Sequence, residues 1–342
     1  MIEMATMKDV AKLAGVSVGT VSNVLNGRSV VSEKRQKLVR DAIEQLGFYQ
    51  NQAAKTLRTG ITNTIGLIIP DIDNPYYPQI ARGVEDCASE YNYNVLICNS
   101  DRIAGVEKNC MEKLLARGVD GVIDVKPALP QEILFGFADA CPIVLIDSYY
   151  YEQKNVSCIN IDFHDDLLRV YQQAFDMGHS RFAYIGGGLT SLNDLKRFET
   201  FNEFVRYNGF QENQVQVFMG SFTGEFGSMI ASQMINSNVL PTIIFCASDI
   251  IAIGVLDSLT RNGIRVPEDI SVVGFDNIWA SAVTRPRLTT IDVPKHDLGY
   301  LAAKKLFGKL LNEEIDCTSS AVTVSLLLRE TFSGPKAAGS VE

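Results

Sequence analysis

The 342-residue sequence predicts an all-α helix-turn-helix N-terminal domain followed by a two-lobed α/β domain with parallel sheets. Within the first 60 residues, apolar residues recur with helical spacing only, and glycines separate the segments. From Thr62 onward, apolar runs typical of buried strands alternate with amphipathic helices. The alternation fills two successive halves of about 100 residues each, which indicates parallel sheets covered on both faces and a cleft between two lobes.

Three short helices are predicted for the N-terminal domain. The first, in KDVAKLAG, ends at Gly15, because glycine readily adopts the left-handed conformation that ends a helix. Ser17 then caps a second helix, so the joint between the two is the short, glycine-containing turn of a helix-turn-helix. A third helix begins after Ser32 and ends at Gly47.

The second helix, in VSVGTVSNVLNG at residues 16–27, has two contrasting faces. Its apolar face keeps helical spacing and comprises Val21, Val24 and Leu25. Its opposite face is small, polar and uncharged, and comprises Gly19, Ser22, Asn23 and Asn26. The first face is expected to hold the helix to the bundle, which leaves the second face for a partner.

Domain boundaries follow from the change of pattern. We predict a helix-turn-helix domain at 1–48, a hinge helix or linker at 49–61, an effector and dimerisation domain at 62–334, and a disordered tail at 335–342. The linker is too short to be a stable isolated helix, so we expect it to become helical only against a partner. One lobe is expected at about 62–162 plus 293–325, and the other at about 163–292 plus 326–334. A single final strand is predicted in AVTVSLLL, at 321–328.

Charge is unevenly distributed along the chain, whose net charge is −9. Residues 1–60 hold nine Lys and Arg against five Asp and Glu, a net of +4. The remaining 282 residues hold 22 against 35, a net of −13. A basic head on an acidic body indicates that the head binds a polyanion and that the body does not.

Several classes of protein are excluded by what the sequence lacks. It has no apolar run of membrane-spanning length and no signal-peptide core, so we expect a cytoplasmic protein. The seven cysteines include no Cys-x-x-Cys pair, which favours reduced, buried thiols over a disulfide framework or a zinc site. His164, His179 and His296 are isolated, and no catalytic motif is present. The sequence therefore predicts no enzyme, no metal and no cofactor.

The segment TMKDVAKLAGVSVGTVSNVLNG closely resembles the N-terminal signature of the lactose/galactose repressor (LacI/GalR) family of bacterial transcription regulators. The resemblance continues in NQAAKTLRTG, TNTIGLIIPDIDNPYY, MGHSRFAYIGG and IAIGVLDSLTRNGIRVPEDISVVGFDN, and so covers nearly the whole chain. It implies a periplasmic-binding-protein-like effector domain and a homodimeric repressor. Its expected partners are pseudo-palindromic operator DNA and a small sugar-like effector in the cleft.

The resemblance also assigns DNA contacts. It gives base reading to Val18, Gly19 and Asn23, and phosphate or backbone contacts to Ser17, Thr20, Ser22 and Asn26. In the linker, Leu57 would wedge open a base step in the minor groove, while Arg58 would reach phosphate or the groove edge. Two alternatives remain open: the head could be a helical bundle that packs on another protein, and Leu57 could staple the linker to the body.

Effector contacts are assigned in the same way, mostly just past the carboxyl ends of strands, where open α/β sheets bind ligands. The assigned residues are Tyr76, Tyr77, Asp101, Asp147, Arg197, Phe222, Ser248 and Asp276. Aspartates and arginine suit the hydroxyls of a sugar, and aromatic rings suit its apolar face. Alternatively, Asp249 and Asp276 could be helix caps and Arg197 could form a surface ion pair.

The sequence does not fix the chemical class of the effector. Some family members respond to a purine base or to a phosphocarrier protein, and the adjacent Tyr76 and Tyr77 suit a base as well as a sugar. A more remote alternative is a solute-binding protein with an incidental helical head.

Overall fold

The computed structural model describes residues 5–25, 31–48, 56, 59–148, 155–188, 192–237, 239–312 and 321–335. The chain divides into two compact units, Met1–Thr62 and Asn63–Glu342. The predicted hinge residues Leu57 and Arg58 lie outside the described residues, as do Asn26 and the tail beyond residue 335.

The described part of the first unit contains three helices. They are α1 at Met7–Ala14, α2 at Val18–Leu25 and α3 at Glu33–Leu46. Thr6 begins α1 with a capping box to Asp9, and Gly15 ends it in the left-handed conformation, with φ at 65°. Val10 and Val21 are fully buried between the helices. The predicted three-helix arrangement is therefore confirmed.

The first sheet of the second unit has six strands. They are β1 at Thr64–Ile69, β2 at Asn94–Asn99, β3 at Gly121–Val125, β4 at Ile143–Ile146, β5 at Val156–Asp162 and β11 at Ala321–Thr323. Their order is β11-β5-β4-β3-β1-β2, and every pairing is parallel. The associated helices are α4 at Tyr76–Glu90, α5 at Ala104–Ala116, α6 at Gln131–Ala138 and α11 at Lys295–Leu311. A side chain at Gly83 of α4 would stand 2.0 Å from the carbonyl of His296, so this glycine permits the close contact with α11.

The second sheet repeats this architecture. Its strands are β6 at Phe182–Gly187, β7 at Val215–Gly220, β8 at Ile243–Cys246, β9 at Ser271–Asp276, β10 at Thr289–Asp292 and β12 at Ser325–Leu327. Their order is β12-β10-β9-β8-β6-β7, and β12 alone of these described strands runs antiparallel to its neighbour. The helices are α7 at His164–Asp176, α8 at Leu192–Asn208, α9 at Gly224–Asn236 and α10 at Asp249–Arg261.

The predicted fold class is confirmed, but the single strand predicted at 321–328 is wrong. Residues 321–323 pair with β5 in the first sheet, while residues 325–327 pair with β10 in the second. Val324, which is buried, separates the two strands. The apolar run is continuous because both halves are covered, so hydrophobicity alone could not show the change of sheet. Strands β5 and β10 were also missed, since polar residues interrupt VSCINID and TTID.

The chain passes between the two sheets three times. It leaves the first sheet after β5, returns from β10 into α11, and crosses again between β11 and β12. Three short connections between two otherwise independent sheets form the geometry of a hinge.

A buried pair of carboxyl groups stabilises the turn after β3. Glu107 of α5 is 1% exposed and accepts hydrogen bonds from the backbone N–H groups of Ala128 at 2.7 Å and Leu129 at 3.1 Å. Asp124 of β3 is also 1% exposed and lies against Glu107. Burial, followed by the neighbouring charge of Glu107, raises the pKa of Asp124 well above its usual range. Burial and the neighbouring Glu107 therefore both favour the protonated form of Asp124.

Replacing Asp124 with Asn is expected to stabilise the protein increasingly as the pH rises. The folded-state pKa of Asp124 lies above its unfolded value, so the free energy of unfolding falls as pH rises between the two. Asp124→Asn keeps a donor for Glu107 but removes this loss. The gap in melting temperature between variant and wild type should widen from about pH 5 to about pH 8. The exposed Asp139→Asn is the control; a gap independent of pH would show that Asp124 is ionised in the folded protein.

Candidate nucleic-acid interface and ligand cleft

The N-terminus of α2 is built around Ser17, as the sequence predicts. The Ser17 hydroxyl accepts a hydrogen bond from the backbone N–H of Thr20 at 3.1 Å, and its carbonyl accepts from Val21 at 3.1 Å. The hydroxyls of Ser17 and Thr20 lie 2.9 Å apart and bond to each other. Both hydroxyls are therefore held at the helix end where backbone N–H groups attract anions such as phosphate.

The outer face of α2 is open in the way that its composition suggests. Val18 is 41% exposed, Gly19 is exposed, and Asn23 is half-buried, whereas Val21 on the inner face is fully buried. A Cβ at Gly19 would meet only the Ser17 hydroxyl, at 3.7 Å, so the protein's own packing does not require glycine here. The outer surface of α2 thus has room for a larger side chain at position 19.

In the second unit, two of the predicted effector residues start helix α4. Tyr76 and Tyr77 are 3% and 2% exposed, and their rings pack edge to face with centroids 5.1 Å apart. The hydroxyl of Tyr77 accepts a hydrogen bond from Arg102 at 3.3 Å. Among the described residues, the buried hydroxyl of Tyr76 has no hydrogen-bond partner.

Arg197 of α8 anchors the opposite wall of the cleft. Its guanidinium stacks on the ring of Phe275, 3.8 Å from the centroid, and donates to the Ala247 carbonyl at 2.9 Å. It is only 3% exposed, which excludes the alternative of a surface ion pair, and its Nε has no partner among the described groups. Burial raises the pKa of nearby Asp276 to about 6, although Arg197 opposes the shift.

The cleft also contains two charged residues, Lys126 and Asp194, that the sequence analysis did not assign to it. Lys126, directly after β3, forms ion pairs with Asp147 of the first lobe at 3.3 Å and with Asp194 of the second at 3.5 Å. Burial lowers the pKa of Lys126, but Asp194 and Asp147 together raise it above its ordinary value, so the ammonium group stays charged. The available signal was the position of Lys126 at the carboxyl end of a predicted strand.

Phe222 brings the two lobes together at the edge of the cleft. The cationic groups of Arg102 and Lys126, both from the first lobe, lie 5.1 Å and 5.8 Å from the centroid of its ring. A side chain at Gly187 would come within 2.0 Å of this ring, so glycine at the end of β6 makes room for it. The contacts thus connect Tyr77, Phe222 and the buried charges.

Two predicted residues have other partners in the structure. Ser248 is the N-cap of α10, with its hydroxyl accepting from the N–H of Ile251 at 3.4 Å. Asp101 is exposed and accepts a hydrogen bond from the side chain of Asn99. The cap alternative for Asp249 is wrong, because its carboxylate accepts from Ile278 at 2.9 Å and from Thr290. The ligand roles of all eight residues stay predictions.

Arg197 also borders a small gap in the interior of the second lobe. The small gap beneath Arg197 and Phe275 has a volume of about 10 Å³. Open pockets of about 420 Å³ and 630 Å³ occur elsewhere, beside Trp279 and beside Met229, and none of the predicted effector residues lines them. Within the described ranges, no group of three His, Cys, Asp or Glu side chains is arranged to hold a metal ion.

Comparisons with known proteins identify the family. The family model for bacterial regulatory proteins of the lacI family matches residues 6–51, and that for a periplasmic binding protein-like domain matches residues 172–332. Catabolite control protein A of Priestia megaterium is 31% identical over 90% of this chain and 93% of its own length. The chain belongs to the lacI family of bacterial regulatory proteins. It is therefore a transcriptional regulator that binds DNA, as the resemblance in its sequence implied.

Other relatives agree with this assignment. The transcriptional repressor PurR of Pasteurella multocida is 33% identical over 90% of this chain and 92% of its own length. A crystal structure of the Lac repressor dimer bound to operator and an anti-inducer has a TM-score of 0.84 at 26% identity, covering 97% of this chain and 100% of that one. A complex of the regulator CelR with cellobiose has a TM-score of 0.69 at 26% identity, covering 96% and 100%. In the part of the chain that is described, no helix could span a membrane.

Replacing Asn23 with Ala is expected to relax the preference for one base of the DNA site. Asn is the side chain that makes a bidentate bond to adenine, and its loss costs about 1–3 kcal/mol at that position only. Binding to duplexes that vary one base at a time measures the effect, with the exposed Asn236→Ala in α9 as control. Equal weakening on every duplex would show that Asn23 holds phosphate instead.

Proposed function

We propose that the protein is a homodimeric repressor that binds pseudo-palindromic operator DNA and responds to a small, neutral, sugar-like effector in the interlobe cleft. The observation that carries the effector proposal is a set of polar atoms that are buried but lack hydrogen-bond partners among the described residues. They are the hydroxyl of Tyr76, Nε of Arg197 and Oδ1 of Asp147.

These three groups suit the hydroxyls of a ligand. An unsatisfied polar atom in the interior costs about 1–3 kcal/mol, so a ligand that completes these hydrogen bonds binds with a corresponding gain. The set contains a donor at Arg197, an acceptor at Asp147 and a hydroxyl at Tyr76 that serves as either. A polyhydroxyl molecule matches such a mixture, because each of its hydroxyls both donates and accepts.

The structure favours a sugar over a purine base as the effector. Tyr76 and Tyr77 pack against each other edge to face and are almost fully buried, so they offer a hydroxyl rather than two open ring faces for stacking. A phosphocarrier protein as the input, or a solute-binding role, has no comparable support in the described residues.

DNA binding is assigned to the outer face of α2 and to the N-terminus that Ser17 and Thr20 build. Small side chains allow a helix to enter the major groove deeply, and two copies in a dimer would read two half-sites. The Lac repressor is a dimer on its operator in the structure named above. Operator binding also implies a cytoplasmic location and requires no catalytic step.

The three connections between the lobes allow the lobes to change their relative arrangement when an effector binds. A ligand that prefers one arrangement of the lobes shifts the population toward it, and only by its difference in affinity. Such a shift is the hinge type of switch found in two-lobed binding proteins.

The proposed DNA function is tested by selection from random duplexes with the full chain. We expect a two-fold symmetric consensus whose affinity falls steeply with salt, because phosphate contacts release counterions. A selection that yields no preferred sequence would contradict the proposal, whatever the affinity at low salt.

Removing the hydroxyl of Tyr76 tests the effector site. Tyr76→Phe leaves the packing of the ring intact but deletes one of the partnerless groups, so the sugar that stabilises the wild type in a thermal-shift screen should bind about ten times more weakly. The screen should include neutral sugars, sugar phosphates and purines. The exposed Tyr207→Phe is the matched control. Unchanged affinity in Tyr76→Phe would place the ligand elsewhere.

A further inference from the structure

The ammonium group of Lys126 is held at a position that is built to receive a cation. It lies 3.3 Å from a carboxylate oxygen of Asp147 and 3.5 Å from one of Asp194, and the three side chains are 8%, 1% and 2% exposed. The ring of Phe222 adds its π face at 5.8 Å. Two buried carboxylates and an aromatic face are the elements that proteins use to bind amines.

The backbone around Lys126 is fixed so that the side chain enters the cleft. Lys126 and Asp147 have φ angles of 53° and 62°, a left-handed conformation that non-glycine residues adopt only when their surroundings hold them there. The N–H of Lys126 donates to the Ile146 carbonyl at 2.8 Å. On the other side, Glu107 holds the N–H groups of Ala128 and Leu129. The turn is therefore secured on both sides of Lys126.

The two carboxylates come from different lobes. Asp147 follows β4 in the first lobe, and Asp194 lies in α8 of the second. A single ammonium group thus compensates charge on both sides of the cleft. If this group were absent, the two buried carboxylates would lose the ammonium that pairs with both of them. The guanidinium of Arg197 also attracts them, but buried charge that has lost its ion-pair partner is unfavourable.

We propose that Lys126 is a tethered ammonium group that fills an amine-binding position spanning the two lobes, so that the cleft accepts neutral polyhydroxyl effectors and excludes amine-bearing ones. The selectivity for neutral effectors rests on the proposed effector function. The amine-binding position itself can be tested without any effector. A free amine of similar size should replace the tethered one when the lysine is shortened.

The test is chemical rescue of Lys126→Ala in the full chain. The variant should melt at a lower temperature than the wild type, and ethylammonium chloride should restore most of that loss. Ethylammonium chloride should not change the melting temperature of the wild type. Sodium chloride at equal ionic strength should not change the melting temperature of Lys126→Ala. Lys108→Ala, which breaks an exposed pair with Glu112 of 3.8 Å, is the control that should show no rescue.

A second variant covers the case in which Lys126→Ala does not fold. Lys126→Ala combined with Asp194→Asn removes one of the two facing charges, so the double variant should be more stable than Lys126→Ala and insensitive to ethylammonium. The proposal is overturned if ethylammonium stabilises wild type and Lys126→Ala equally, or stabilises neither, or stabilises the double variant as much as the single one.

Amino sugars then connect the position to the effector. Glucosamine, galactosamine and mannosamine should raise the melting temperature of Lys126→Ala more than their neutral counterparts, with the opposite order in the wild type. Rescue by ethylammonium without any response to either class of sugar would support the amine position and contradict the sugar-like effector instead.

Discussion

Compensation of buried charge is the constraint on which the cleft depends. Asp147, Asp194 and Asp276 are buried with Lys126 and Arg197 in a volume that excludes most solvent. Charges in such surroundings are tolerated only when partners of opposite sign are held close to them. Because these partners come from both lobes, the electrostatics of the cleft and the arrangement of the lobes depend on each other.

This mutual dependence gives the regulator a physical basis for its response. The effector proposed above, hydrogen-bonded to Asp147 or Arg197, would change the balance of charges between the lobes. The chain crosses between the sheets at three short connections, so the lobes can answer by rotation while each sheet keeps its own hydrogen bonds. Glu107, which accepts hydrogen bonds from Ala128 and Leu129, secures the turn that follows Lys126.

Helix α2 of the helix-turn-helix domain contrasts with the cleft, because its outer face is uncharged. Its outer face carries neither charge nor bulk, and the hydroxyls of Ser17 and Thr20 are held together at its first turn. Gly19 is compatible with a larger residue as far as the protein itself is concerned. Packing within the protein therefore does not account for the glycine at this position.

The sequence by itself determined the three N-terminal helices and the alternation of strands and helices, because these depend on local periodicity and on caps. The expected positions of Tyr76, Arg197 and Asp276 at the cleft came from the family resemblance carried by the sequence. Only the tertiary structure decided that Lys126 pairs with Asp194, 68 positions away, and that residues 321–328 divide between two sheets. Charge pairing and sheet membership depend on contacts between residues that are distant in sequence, and local sequence patterns do not predict such contacts.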